Sequence, residues 1–284
     1  LIMPGMRELK NHLRSVNTTG QLAGAMKTVS SAKFSRVNAV YAAYAKYAAA
    51  CDDIISSFGE ALADALPCTS PDAPELVVVI ASNSGLCGGF NSTLLAYADE
   101  CFEEYKHSGR EYRVVACEKI AAAYFTEHGV KTERDFVFSD VPAFDDCREF
   151  CEYLRNGFVN GEFSAVSFVY QHFKNMLTQI PTKKQLLPLG NSSVSSSAST
   201  DDVIYIPDRE TVMKNACLSC VDCSIYSSVL DAATGAQAAT MMAMREATDN
   251  VKDTIAALEL EISRKRQSEV TSSVIETYSP EEEN

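Results

Sequence analysis

The two ends of this chain are each free of proline over sixty residues or more, and that constrains the fold more than any other feature. No proline lies between Arg7 and Leu66, and the stretch from Pro207 to Pro280 contains Gly235 as its one glycine. Both segments are rich in Ala, Leu, Met, Lys and Arg, the residues that lose least on entering a helix. Apolar or small residues recur at alternating steps of four and three, at Val37, Tyr41, Tyr44, Ala48, Cys51, Ile55, Phe58 and Leu62. The same spacing runs through Met244, Thr248, Val251, Ile255, Leu258 and Ile262. A stripe of this period is a narrow seam by which one helix meets another. Ala232, Ala236, Ala239 and Ala243 precede the second seam and permit close approach. The two seams are expected to pair, giving helices of roughly 80–100 Å at 1.5 Å rise per residue. Pro67, Pro71 and Pro74 close the first helix, and Pro207 suits the start of the second.

Between the helices the period changes. Leu76–Ile80, Tyr112–Ala116, Asp135–Phe138 and Ala165–Tyr170 read as short strands, alternating with helices near 92–107, 118–128 and Phe144–Val159. Gln185–Pro188 and Val203–Ile206 supply further candidate strand, separated by a Ser-rich loop, Asn191–Thr200. The fold class is therefore α/β: an antiparallel coiled coil of the N- and C-terminal helices with an inserted Rossmann-like α/β domain. The expected boundaries are 1–66 for the first helix, 75–206 for the central domain and 207–284 for the second helix and tail. Entry and exit of the insert must lie close together for the helices to leave side by side, which makes the pair antiparallel.

Charge separates the ends from the middle. The chain carries −13, which argues against nucleic acid or anionic lipid as a partner of the whole surface. Residues 1–50 hold Arg7, Lys10, Arg14, Lys27, Lys33, Arg36 and Lys46 against Glu8, a balance of +6. Eighteen basic and thirty-seven acidic residues remain, so 51–284 carry −19. A basic helix in an acidic protein points to a partner surface. No apolar run approaches the eighteen or so residues that a membrane span requires. Ten cysteines are scattered through the chain without a secretory pattern, and Cys51, Cys87 and Cys117 sit inside apolar runs, as reduced, buried thiols do.

Few residues suggest chemistry. Ser84-Gly85-Leu86-Cys87-Gly88-Gly89-Phe90-Asn91 lies between a strand and a helix, where phosphate loops occur. It lacks the Lys and Ser/Thr of a Walker loop, and its glycines miss the dinucleotide spacing, so a structural turn built on glycine dihedrals is preferred. Cys87 has no base in a recognisable signature, the histidines being His12, His107, His128 and His172. Cys217, Cys220 and Cys223 suggest a zinc ligand set, but a fourth ligand is not identified and Leu218, Val221 and Ile225 favour packing. Cys147 and Cys151 read as small helix-facing residues. Asp145-Asp146 and Asp201-Asp202 read as a helix start and a loop end rather than an acid/base pair. Arg264, Lys265, Arg266 and Gln267 are either a solvated helix end or a contact with an acidic or carbonyl-rich partner loop. No catalytic residue, cofactor or metal is expected.

Three stretches together carry a family resemblance. Ala25-Met26-Lys27-Thr28-Val29-Ser30-Ser31-Ala32-Lys33, Gly85-Leu86-Cys87-Gly88-Gly89-Phe90-Asn91, and Met241-Met242-Ala243-Met244 through Asp249-Asn250 to Arg264, Arg266 and Gln267 resemble the gamma subunit of F-type ATP synthases. The match spans nearly the whole chain, in the family's order. The resemblance implies an antiparallel coiled coil acting as the rotating central shaft inside a hexamer of alternating alpha and beta subunits. Its foot would bind the membrane-embedded c-ring, an epsilon-type subunit and, in mitochondria, a delta-type subunit. ATP chemistry would belong to the partners. Met26 and Lys27 on one helix and Arg264, Arg266 and Gln267 on the other match family residues near contacts with catalytic subunits, and Gly85, Cys87, Gly88, Gly89 and Asn91 form the structural loop. The chain departs from the pattern at Ser273, where the family has Glu, in its tail Ser279–Asn284, and at Ala236 and Thr240, where Glu and Arg are common. The lack of a chloroplast-type cysteine insertion favours mitochondria or bacteria, and the start at Leu1 tips the expectation towards a mitochondrial membrane. Two competing readings remain: a nucleotide-binding α/β enzyme oligomerised through its helices, and a structural coiled-coil tether with no rotary partner.

Overall fold

A computed structural model describes residues 5–67, 70–189 and 204–278. Helix α1 spans Met6–Ala65, with non-helical dihedrals at Phe58 just before Gly59, the residue type least suited to a helix interior apart from proline. A five-stranded insert follows: β1 (Glu75–Ile80), α2 (Phe90–Ser108), β2 (Tyr112–Cys117), α3 (Lys119–Glu127), β3 (Thr132–Phe136), a 3-10 turn at Asp145–Cys147, α4 (Arg148–Val159), β4 (Ala165–Asn175) and β5 (Thr178–Leu187). Helix α5, Arg209–Tyr278, closes the chain. Its first turn is capped by Asp208, whose Oδ1 accepts from the Thr211 N–H at 2.8 Å. Aspartate is among the side chains best suited to that role.

The sheet order is β3-β2-β1-β4-β5. β1, β2, β3 and β4 pair in parallel, and β4 and β5 form an antiparallel hairpin. Central strands covered on both faces read as continuous apolar runs. Leu76, Val78 and Ile80 accordingly join a core with α4 and α5, while Val77 and Val79 join another with α2 and α3.

Three strand expectations need correction. The third strand lies earlier than Asp135–Phe138, because Thr132-Glu133-Arg134-Asp135 occupies a sheet edge where charged side chains conceal the alternation. The hairpin is longer than the two fragments expected. Pro181 is tolerated because β5 is an edge strand. Asn175 Oδ1 closes the turn on the N–H groups of Leu177 and Thr178, both at 2.9 Å. Ile204 and Ile206 form no strand and are exposed, lying just ahead of the cap that starts α5. Val203, the Ser-rich loop Asn191–Thr200, Asp201-Asp202 and the tail Ser279–Asn284 lie outside the described residues.

The chain divides into two compact units, one of residues up to Val29 with those from Met241 onward, the other Ser30–Thr240, and each terminal helix contributes to both. The Val37–Leu62 seam therefore falls in one unit and the Met244–Ile262 seam in the other, so they do not pair as expected. In the larger unit Tyr44 packs edge-on against Tyr226 and Cys51 faces Cys220, which makes the helices antiparallel. In the smaller unit the N-terminal partner of the Met244–Ile262 seam is a less obvious stripe, Leu9, Leu13, Val16, Gly20, Ala23 and Lys27. A Cβ at Gly20 would lie 2.6 Å from Val251 Cγ1, so glycine is what lets the two backbones approach.

Candidate functional site

The glycine loop sends two side chains inwards, Cys87 and Phe90, while Gly85, Leu86, Gly88 and Gly89 stay exposed. Leu86 takes a left-handed dihedral, φ 64°, and so does Gly88, φ 61°. Gly85 is not forced there, and Gly89 has φ −81°. Glycine dihedrals are thus required at Gly88 alone of the three, and a leucine bears the other left-handed turn, a conformation uncommon outside glycine. This arrangement drives Cys87 and Phe90 into a small core with Ala236 and Ala239 of α5. The Asn91 carboxamide stitches the loop shut: its Oδ1 accepts from the Ser82 N–H at 3.1 Å, and its Nδ2 donates to Ser82 Oγ at 2.8 Å and Cys87 Sγ at 3.1 Å. Gln171 Nε2 of β4 donates to the Phe90 carbonyl at 3.1 Å, and Gly235 of α5 sits where a Cβ would press on the Phe90 ring at 3.3 Å. Ligands of open α/β sheets bind beyond the carboxyl ends of the strands. Here α5 fills that position.

The other candidate residues belong to the smaller unit in two separate groups, Met26 and Lys27 level with Asp249, and Arg264, Arg266 and Gln267 further along α5. Met26 and Lys27 are half-buried on α1; Arg264, Arg266 and Gln267 are exposed on α5. Lys27 faces Asp249, whose carboxyl is held below its ordinary range first by the Lys252 ammonium at 2.9 Å and then by Arg245 and Lys27. Nearby positive charge favours the ionised carboxylate. Arg266 borders a shallow groove of about 400 Å³ with Glu269, Val270, Ser273, Val274 and Thr277. Leu22, Val29, Leu260, Val270, Val274 and Ile275 add exposed apolar surface. Ser273 is likewise exposed, whereas Ala236 and Thr240 are buried, the latter bonding back to the Ala236 carbonyl at 2.8 Å. Glu and Arg at those two positions would have to enter a packed interior, so the departure there is not a lost surface ion pair.

Nine cysteines among the described residues are free and buried. Burial pushes the Cys217 and Cys223 thiols up to about 11, and those of Cys147 and Cys151 up to about 12. Thiols so rarely ionised are poor nucleophiles. The Cys217-Cys220-Cys223 run splits: Cys217 packs with Val221 and Ile225, and Cys220 and Cys223 meet Cys51 of α1. No group of three or more His, Cys, Asp or Glu among the described residues is placed to hold a metal ion. Asp146 caps the turn before α4, accepting from the Ala143 N–H at 3.0 Å.

Sequence reasoning missed three polar anchors of the larger unit. Asp231 of α5 accepts from the Phe173 N–H at 2.8 Å and lies 2.6 Å from His172 Nδ1, binding the hairpin to the helix. Lys33 of α1 reaches Asp140 at 2.6 Å. Glu118, directly after β2, is buried. The signal for Glu118 was its place, an acid following a fully apolar strand; the other two show no local signal, since their partners are remote in sequence.

Two chain-terminal helices bracket a five-stranded α/β insert, with α5 packed on the loop beyond its strand ends, which defines a class of α/β subunit framed by paired terminal helices. The family model described as ATP synthase matches residues 5–280. The ATP synthase gamma chain of Hyphomonas neptunium is 31% identical, covering 98% of both chains, and that of Cytophaga hutchinsonii is 30% identical, covering 96% of this chain and 97% of that one. The fold is similar to a chain in the rotor of Euglena gracilis mitochondrial ATP synthase, with TM-score 0.61 and 14% identity over 93% of this chain and 98% of that one. The chain belongs to the ATP synthase gamma chain family.

Proposed function

We propose that this chain is the central rotor shaft of an F-type ATP synthase, coupling proton-driven rotation of a c-ring to conformational changes in catalytic subunits. The observation that carries the reading, beside family membership, is the antiparallel pairing of the terminal helices. It gathers Met26, Lys27, Arg264, Arg266 and Gln267 into one unit whose exposed apolar residues suit enclosure by partners. A shaft that is not three-fold symmetric presents a different face to each of three catalytic subunits and so biases their conformations differently. The chain itself is non-catalytic in this reading; alpha and beta subunits perform the ATP chemistry. Epsilon- and delta-type stalk subunits and the c-ring engage the larger unit. The complex is peripheral to a membrane, the mitochondrial inner membrane on its matrix side being preferred over a bacterial cytoplasmic membrane.

Gly85, Cys87, Gly88, Gly89 and Asn91 serve as an architectural turn that docks the central domain on α5, an assignment supported by the Asn91 bonds to Ser82 and Cys87. The test of the shaft reading is the paired substitution Arg266→Ala with Gln267→Ala in the assembled complex. ATP-driven proton pumping should fall more than ATP hydrolysis. Unchanged synthesis, hydrolysis and pumping would refute the contact. For the loop, specific nucleotide binding by the chain that disappears on Gly88→Val would overturn the architectural assignment.

A further inference from the structure

The carboxyl ends of β1, β2 and β3 enclose a small polar cavity that neither the shaft reading nor the glycine loop explains. Asn83 follows β1, Glu118 follows β2 and Phe138 follows β3. The Phe138 peptide holds the other two: its N–H donates to Glu118 Oε1 at 3.3 Å and its carbonyl accepts from Asn83 Nδ2 at 2.8 Å. These bonds fix which atoms face away. Glu118 Oε2 and Asn83 Oδ1 are buried, and neither has a hydrogen-bond partner among the described residues. Both residues line the same cavity of about 20 Å³, to which Ala236 and Gln237 of α5 also contribute. Glu118 is more than nine-tenths buried and stands at φ 76°. With ψ 157° this is a backbone region nearly confined to glycine and strained for any residue with a Cβ, so the surroundings must hold it in place.

We infer that this cavity binds one water molecule, which bridges Glu118 Oε2 and Asn83 Oδ1 and so ties the ends of three strands together beside α5. The volume admits one water and excludes anything the size of a nucleotide. Whatever satisfies two acceptors must bring hydrogens or positive charge. A hard cation takes six or more oxygens or keeps its own waters. Few neighbouring oxygens are left to complete such a shell: Ser82 Oγ donates to the Ser84 carbonyl at 2.7 Å and accepts from Asn91 Nδ2 at 2.8 Å, Ser139 Oγ donates to the Val141 carbonyl at 2.8 Å, and Asp140 Oδ2 is paired with Lys33 at 2.6 Å. A water can donate to both acceptors. It can equally accept from a protonated Glu118 and donate to Asn83.

The surroundings favour the protonated form. Burial pushes the Glu118 carboxyl up to about 8 against the opposing Phe138 N–H, with Asp140 raising it further and Lys119 of α3 lowering it. Burial acts in this direction because it penalises the charged form. The thiols of Cys117 and Cys147 lie on the same side, and α5 contributes Gln237 and Thr240 to the lining, which bear no charge. The bridge therefore runs from Glu118 to water to Asn83 near neutral pH, and ionisation of Glu118 reverses the first hydrogen bond.

A structure of the full chain in its assembled complex, at a resolution that shows ordered waters, tests this directly. A single peak within hydrogen-bond reach of both oxygens is expected, retained in Glu118→Gln and lost in Asn83→Leu, whose methyl groups fill the space. A direct contact between the two side chains with no peak would overturn the inference. So would a peak ringed by five or more oxygens that thallium replaces when potassium is exchanged. If Asn83→Leu does not fold, the wild-type density alone decides. Carbon-13 spectra of the Glu118 carboxyl should titrate with a midpoint near 8; a midpoint near the ordinary 4.5 would sink the protonated form of the bridge.

Discussion

Helix α5 belongs to two compact units and obeys a different rule in each. From Cys220 to Thr240 it is buried on nearly every side, whereas beyond Met241 only Met244 and Leu258 are less than a tenth exposed among the described residues. One eighteen-residue window of this helix is apolar enough by composition to cross a membrane, and 61% of it is buried inside the fold. The contrast teaches that the hydrophobic pattern of a helix records the number of its neighbours. Where α1 and the sheet both cover it, Cys, Val, Ile, Leu and Ala occur all round. Where α1 alone covers it, a single seam suffices and the rest can carry charge. Isolated helices are marginal in water, so the seam-only stretch depends on its pairing far more than on propensity.

The largest expected effect is the difference between two leucines. Leu230 is fully buried in the larger unit. Its replacement by alanine should cost about 2–5 kcal/mol, because the cavity it leaves is walled by the sheet and both helices. Leu258→Ala, on the seam of the smaller unit, should cost about 2 kcal/mol, since solvent reaches the space it vacates. Urea unfolding of the purified chain, with hydrogen exchange to localise the loss, measures both. Equal costs would mean the two units are packed alike.

Next in size is a substitution whose sign should reverse. Gly20→Ala gains about 1 kcal/mol of helix propensity. It also drives a Cβ to 2.6 Å from Val251 Cγ1. Overpacking of that kind costs about 1–3 kcal/mol. The single variant should be neutral to destabilising. In a Val251→Ala background the obstruction is gone, and the same change should stabilise by about 1 kcal/mol. Additive effects across this double-mutant cycle would break the claim that Gly20 sets the helix approach.

That position also shows how much the sequence disclosed. The Val37–Leu62 and Met244–Ile262 seams were legible because Val, Tyr, Leu and Ile mark them, and the burial pattern follows them residue by residue. Their partners were not. The stripe facing Val251 passes through Gly20 and Lys27, where close approach and the charge of Asp249 nearby replace apolar bulk, so no hydrophobic period revealed it. The parallel strands were visible as apolar runs, while β3 and β5 lay at sheet edges, where Glu133, Arg134, Lys183 and Lys184 suppress the alternation. The glycine loop was found by its composition, but the burial of its Cys87 and Phe90 depends on Ala236 and Ala239, remote in sequence on α5. Glu118 and Asn83 meet only through Phe138, a contact with no local signature.

A pH experiment separates the units further. Glu118 binds its proton more tightly folded, near 8, than unfolded, near 4.5. Between those values the folded chain carries the extra proton, so the Glu118 contribution to stability should fall as pH rises through this window and level off above it, with a slope of at most about 1.4 kcal/mol per pH unit. Glu118→Gln should flatten that slope. Hydrogen exchange in the smaller unit, which lacks a comparable buried carboxyl among its described residues, should not follow it.

The smallest expected effect on stability is also the most informative about partners. Leu260 and Val274 are 53% and 51% exposed on α5, off the seam that meets α1. Truncating either to alanine removes little buried surface, so the chain's own stability should change by no more than about 0.5 kcal/mol. If these side chains stay in water, nothing further should change. If the shaft reading holds, they are enclosed on assembly, and the same variants should weaken co-purification with catalytic subunits while the free chain unfolds as before. A variant that destabilised the free chain by about 2 kcal/mol would instead place Leu260 in an internal contact and remove it from the partner surface. The two outcomes differ in whether the loss appears in the isolated chain or in the assembled complex.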